Sequence, residues 1–163
     1  MFNIGDKVVY PNQGIGFVSD IEEREFKGEK QDYYKIKIFN NTMKLTLPVN
    51  RAEIARVRLV SNSDTIDESL EGISKAMAEE NEYQDITSKE RMMANAEKVK
   101  SGALSDNLDI IYDLTQVMIN SKLNAGEKQV LKNAKECVAE EISYAKGLSI
   151  EDSKNLLAEA IKY

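Results

Sequence analysis

The chain reads as an α+β protein of two domains, a small antiparallel β-barrel followed by a compact all-α domain of about five helices. Three observations predict this. Apolar residues alternate with polar ones up to about residue 60, the period of half-buried strands. From Ile66 onward they recur three and four residues apart, the period of helices. Between the two patterns lies a polar run, Ser61-Asn62-Ser63-Asp64, which divides the chain into residues 1–60 and 65–163. A length of 163 residues suits two small cores.

The first strand is Lys7-Val8-Val9-Tyr10, rich in β-branched and aromatic residues. Pro11-Asn12-Gln13-Gly14 stops it with residues that lack a donor or tolerate turn dihedrals. Ile15 to Val18 starts a second strand that extends to Arg24, and Gly16 within it suggests a bulge or tight bend. Phe26 to Lys30 is a glycine-bearing turn. Asp32 to Ile38 places Tyr34, Ile36 and Ile38 on one face and Lys35 and Lys37 on the other. Met43 to Leu47 alternates again, with Met43, Leu45 and Leu47 inward, and Pro48 ends it. Arg56 to Val60 is a closing strand. Short strands with tight turns make a bent sheet or barrel.

In the second half, Ile66, Leu70, Ile73 and Met77 mark a first helix. Thr87-Ser88-Lys89-Glu90 is a capping box that opens a second, closed by Ser101-Gly102. Leu104, Leu108, Ile111, Leu114, Val117 and Met118 form the apolar stripe of a third. Asn124-Ala125-Gly126-Glu127 caps a fourth, which buries Val130, Leu131, Ala134, Val138 and Ile142 and ends at Gly147. Ser149 starts the last, with Leu156, Leu157 and Ile161 on its apolar face.

Composition narrows the function classes. The chain has 42% hydrophobic and 31% charged residues, as in a soluble globular protein. No apolar run is long enough to cross a bilayer, and Met1-Phe2-Asn3-Ile4 is not a signal peptide. The single Cys137 fits a reducing cytoplasm and reads as a small core residue of the fourth helix. Histidine is absent, which removes the commonest general base and metal ligand. There is no cysteine cluster, P-loop or dinucleotide-type glycine pattern. Nothing favours an enzyme, and no cofactor or metal is expected. Residues 1–60 hold ten Lys/Arg and eight Asp/Glu, a net +2, and residues 61–163 hold twelve and twenty, a net −8. DNA contact would have to come from a local basic patch.

The stretch GDKVVYPNQGIG, residues 5–16, resembles the opening of the CarD/CdnL family of bacterial transcription regulators. The resemblance continues through Ile21 to Arg24, Lys27-Gly28-Glu29 and Leu45-Thr46-Leu47-Pro48. It resumes at Ser101-Gly102 and Leu123-Asn124-Ala125-Gly126-Glu127-Lys128, so it spans nearly the whole chain. It implies a Tudor-like N-terminal barrel that docks on the RNA polymerase β subunit through strand-edge pairing. Arg24 sits where the family carries a basic residue at that contact. Lys44, Leu45, Thr46, Leu47 and Pro48 form the pairing strand. Thr46 departs from an arginine common in relatives, and Lys44 on the same strand face is placed to replace part of that charge.

The helical domain supplies the DNA candidates. Lys128, Lys132 and Lys135 share one helix face, with Lys122 just before the helix. Lys128 also lies at a helix N-terminus, where backbone N–H groups favour phosphate. It matches the lysine of the family's AGEK motif, which contacts DNA in relatives. Relatives place a wedging tryptophan at the start of the second helix. This chain has no tryptophan; Ser88 takes that place, with Arg91 available to a phosphate. Tyr33 and Tyr34, adjacent on a strand, point to opposite faces and cannot together form a methyl-lysine cage.

The sequence reading is thus a non-enzymatic, cytoplasmic, nucleoid-associated regulator. Its barrel tethers it to the polymerase β subunit, and its helical domain meets promoter DNA at the upstream fork and modulates open-complex stability. The alternative is a polymerase adaptor whose acidic helical domain binds another protein. A domain-swapped homodimer is left open; no membrane partner is expected.

Overall fold

The computed structural model describes residues 1–79 and 82–162; Glu80, Asn81 and Tyr163 lie outside the described residues. The chain divides into two compact units, Met1–Val60 and Ser61–Tyr163.

The first unit contains β1 (Lys7–Tyr10), β2 (Gly14–Phe26), β3 (Glu29–Ile38), β4 (Lys44–Pro48) and β5 (Arg58–Leu59), with a short 3-10 turn at Val49–Arg51. All neighbours run antiparallel, in the order β4-β3-β2-β1-β5. Val8, Val18, Tyr34, Ile36, Leu47 and Val57 make one core. No helix of this unit covers that core, so the sheet must curl over it. The curl has a visible source: the β2–β3 register shifts between Val18 and Asp20, which leaves Ser19 as an extra residue.

Gly16 is not that bulge. It pairs regularly with Ile38 and Val8, and a Cβ there would sit 2.2 Å from the Lys37 carbonyl oxygen. The position demands glycine because two backbones approach closely. Two other details differ from the sequence reading. Met43 precedes β4 and is exposed rather than inward. The closing strand is only two residues long, because Arg56 takes a left-handed φ of 59° and Val57 turns into the core.

The second unit contains α1 (Ser63–Ala78), α2 (Ser88–Ser101), α3 (Leu104–Asn120), α4 (Ala125–Lys146) and α5 (Ile150–Ala160). Helix starts follow the caps read from sequence. Thr87 and Asn124 both form complete capping boxes, with Glu90 and Glu127 respectively. Gly102 and Gly147 end α2 and α4 in the left-handed conformation.

The core centres on α3. Ile110, Ile111 and Leu114 pack with Ile66 of α1, Val138 and Ile142 of α4 and Leu157 of α5. Burying a side chain such as Ile111 stabilises by about 1.5–3 kcal/mol. The α3 stripe stops at Val117, and Met118, a further 100° round the helix, is exposed. Cys137 is exposed too, not a core residue: the buried stripe of α4 runs through Leu131, Ala134, Val138 and Ile142 and passes that position by.

Candidate functional site

Two surfaces carry the candidate residues. The first is the free edge of β4. In an antiparallel ladder, hydrogen-bonded pairs alternate with pairs whose backbone groups point away. The Ile38 N–H donates to the Met43 carbonyl at 3.1 Å. The register then places Ile36 with Leu45 and Tyr34 with Leu47 as the bonded pairs. The N–H and C=O groups of Lys44 and Thr46 therefore face outward, toward the open edge. Pro48 falls on the same outward phase, where its missing N–H costs the sheet nothing. Side chains follow the pleat: Leu47 is buried, Leu45 and Pro48 are half-buried, and Lys44 and Thr46 are exposed.

Arg24 lies two strands away, on the outer face of β2. Its guanidinium donates to Glu22 at 3.1 and 3.2 Å and sits 5.6 Å from the Tyr33 ring centre. Tyr33 in turn pairs with Pro48. Lys35 also reaches Glu22, at 2.9 Å, and the two cations, Lys35 foremost, hold that carboxyl below its usual pKa. Tyr34 is buried beneath the sheet and accepts a hydrogen bond from the Phe2 N–H, so the two tyrosines do lie on opposite faces.

The second surface is the junction of α2 with the start of α4. Arg91 was expected to be available to a phosphate, and it is not. It is buried, and its Nε and Nη2 donate to Glu127 Oε1 and Oε2 at 2.6 and 3.2 Å. Its other donors reach the Ile86 carbonyl and Ser88 Oγ. The Asn124 N–H donates to the same Glu127 carboxylate at 3.0 Å. One buried side chain thus closes the cap of α4 and clamps α2. Arg91 is the main cause that holds the Glu127 carboxyl below its usual pKa, against burial, and Glu127 raises that of Arg91.

Ser88 sits at the first turn of α2 with its hydroxyl turned to Arg91. Lys122, Lys128 and Lys132 are exposed and Lys135 half-buried; none makes an ion pair among the described residues. The structure thus brings Ser88, Arg91 and the Asn124–Lys128 turn together. Lys132 and Lys135 follow along α4.

Sequence reasoning missed the inner face of α2. Ser88, Arg91, Asn95, Lys98 and Ser101, three and four residues apart, are its least exposed positions, and all are polar. Its apolar residues Met92, Met93 and Val99 are exposed. Asn95, 6% exposed, is buried as fully as a core residue. The spacing of these positions was legible; what holds Arg91 inward is a partner 36 residues away.

Among the described residues no helix is long and apolar enough to cross a membrane. Residues 2–61 match the model of the CarD-like/TRCF RID domain, and residues 72–158 match that of the CarD C-terminal domain. The chain is 32% identical over 155 residues to YdeB of Bacillus subtilis (strain 168), a protein named as a candidate transcription factor. That match covers 95% of this chain and 99% of YdeB. Two Myxococcus xanthus structures are similar to part of the chain. CdnLNt is 42% identical and covers 32% of this chain and 75% of its own, at a TM-score of 0.30. The 72-residue N-terminal domain of CarD is 30% identical and covers 36% and 79%, at a TM-score of 0.32. A barrel unit matching one half of this architecture and a helical unit matching the other define the class, a transcription factor. The chain belongs to the CarD family.

Proposed function

We propose that this protein binds the RNA polymerase β subunit through the free edge of β4, with Arg24 alongside, and that its helical unit contacts promoter DNA at the upstream fork of the bubble. Lys122, Lys128, Lys132 and Lys135 meet phosphates there, near Ser88, and the contact modulates open-complex stability. The observation that carries this reading is the pair of outward-facing backbone sets at Lys44 and Thr46 on an edge strand. They can accept a strand from a partner without rearrangement. Anchoring by that edge makes the DNA contact intramolecular, so an acidic unit with a few exposed lysines can still engage DNA.

The register selects the substitution that tests this. Leu45→Pro would remove an N–H that the β3–β4 ladder uses, and would damage the barrel itself. Thr46→Pro removes only an outward N–H. We expect Thr46→Pro to fold and to lose β-subunit binding in a pull-down or titration. Normal binding by folded Thr46→Pro defeats the strand-pairing reading. The adaptor reading has its own support, the exposed Met92, Met93 and Val99 on α2. It prevails if the lysines prove silent at promoters.

A further inference from the structure

The outer face of the barrel carries a row of like charge. Lys7 pairs with Phe17, Phe17 with Lys37 and Lys37 with Lys44, so the four lie in one line across β1, β2, β3 and β4. Cross-strand partners share a face, and this one lies opposite the core side chains Val8, Val18 and Ile36. At about 4.8 Å per strand the line is about 14 Å long. All three lysines are exposed, and none makes an ion pair among the described residues. Lys37 and Lys44 stand directly opposite each other. Like charges so placed destabilise a sheet, and an anion that met both would relieve the repulsion.

Two further features sit on the row. The Phe39 ring, 37% exposed, stacks on Phe17 with centres 5.3 Å apart and planes 27° apart. An aromatic pair at the surface offers a flat guest a face to stack on. Beside Lys37 and Lys44 a groove of about 360 Å³ runs past Ser19, Lys35 and Thr46. Asp20 also lines it and accepts a hydrogen bond from the Ile21 N–H at 2.8 Å. Lys35 is held by Glu22 at 2.9 Å, so Lys37 and Lys44 are left as the groove's unpaired cations.

We propose that this face binds single-stranded DNA, with phosphates on Lys7, Lys37 and Lys44 and a base on the phenylalanine pair. Rings set among cations hold a single strand without reading its sequence. A duplex is stiff and covers the faces of its bases; a single strand exposes them and can follow the curl of the sheet. No hydroxyl or amide stands in the row to hold the 2′-hydroxyl that marks RNA. The charge division agrees: residues 1–60 are net +2 and residues 61–163 net −8, so a free strand meets the barrel with less repulsion. This surface lies on the other unit from the lysines of α4 and does not depend on them.

The test titrates the whole chain into fluorescent oligo-dT and follows anisotropy at low salt. Log affinity should fall with log salt at a slope of about 2, the value for three phosphates of a single strand. The Lys7→Glu/Lys37→Glu double variant should bind about tenfold more weakly. Phe39→Leu should bind about fivefold more weakly or worse, the stacking contribution of one base. These are exposed side chains, so both variants should melt close to the natural protein. Lys7→Gln/Lys37→Gln repeats the charge test should the reversal disturb the sheet. β-subunit binding should be unchanged, because Lys37 lies one strand inside the open edge. No binding at about 100 μM protein overturns the proposal, as does full binding by the folded lysine variants. Tighter binding of oligo-U would give the face to RNA, equal binding of a duplex would mean that the rings take no part, and equal competition by polyglutamate would give the face to an acidic protein; each overturns it. Lys128→Glu should leave oligo-dT binding unchanged. Its loss there, with the barrel variants intact, would overturn the proposal and move the contact to α4.

Discussion

The edge of β4 and the inner face of α2 both put polar groups where they stand out from their surroundings, but by different means. On β4 the groups are backbone N–H and C=O, set outward by the pleat, and the side chains above them matter little. On α2 they are side chains, Arg91 and Asn95, turned inward where apolar residues usually go. An edge strand can offer its backbone to a partner at no cost to its own core. A helix that buries a charged side chain must be compensated for it, and Glu127 compensates Arg91. The difference predicts opposite responses to mutation. The edge should tolerate side-chain changes and fail when an N–H is lost; α2 should tolerate changes outside and fail when a charge is orphaned inside.

The largest expected effect is at the clamp. Glu127→Ala leaves Arg91 buried without its carboxylate and uncaps α4, and should cost about 3–5 kcal/mol in urea unfolding. A cost below 1 kcal/mol would make α2 no different from a surface helix. Next comes pH. The folded pKa of Glu127 is lowered by Arg91, so its contribution is present above the unfolded value of about 4.3 and is lost as pH falls through the folded value. Stability should decline on acidification below about pH 4, and Glu127→Gln should flatten that decline. Smallest are the outward positions. Met93→Ser on α2 and Thr46→Ala on β4 should each change stability within about 0.5 kcal/mol, and Thr46→Ala should keep β-subunit binding.

What could be read from sequence follows the same division. The strands, helices and caps rest on local chemistry, such as alternation around Ile36 or the Asn124–Glu127 box, and local chemistry is written in order along the chain. The free edge was half legible. Alternation and Pro48 pointed to it, but which N–H groups face outward depends on the pairing phase set at Ile38 and Met43. The clamp was not legible. Arg91 looks like any helix-surface arginine until α4 brings Glu127 beside it, and only tertiary structure does that. Gly16 and Cys137 fall the same way, since close approach and burial at one position are properties of neighbours.

The central claim is that the two surfaces act separately, the barrel edge to hold polymerase and the lysines of α4 to engage promoter DNA. The most direct measurement is open-complex lifetime after competitor challenge, with Lys128→Glu compared with the natural protein on the same polymerase. Lys128 is exposed, so the change should leave folding within about 0.5 kcal/mol. Our account predicts a reduced effect on lifetime, with β-subunit binding unchanged and a salt dependence shallower by about 0.9 per lost phosphate contact. An unaltered lifetime effect in both Lys128→Glu and the Lys132→Glu/Lys135→Glu double variant would contradict it and leave the helical unit to a protein partner.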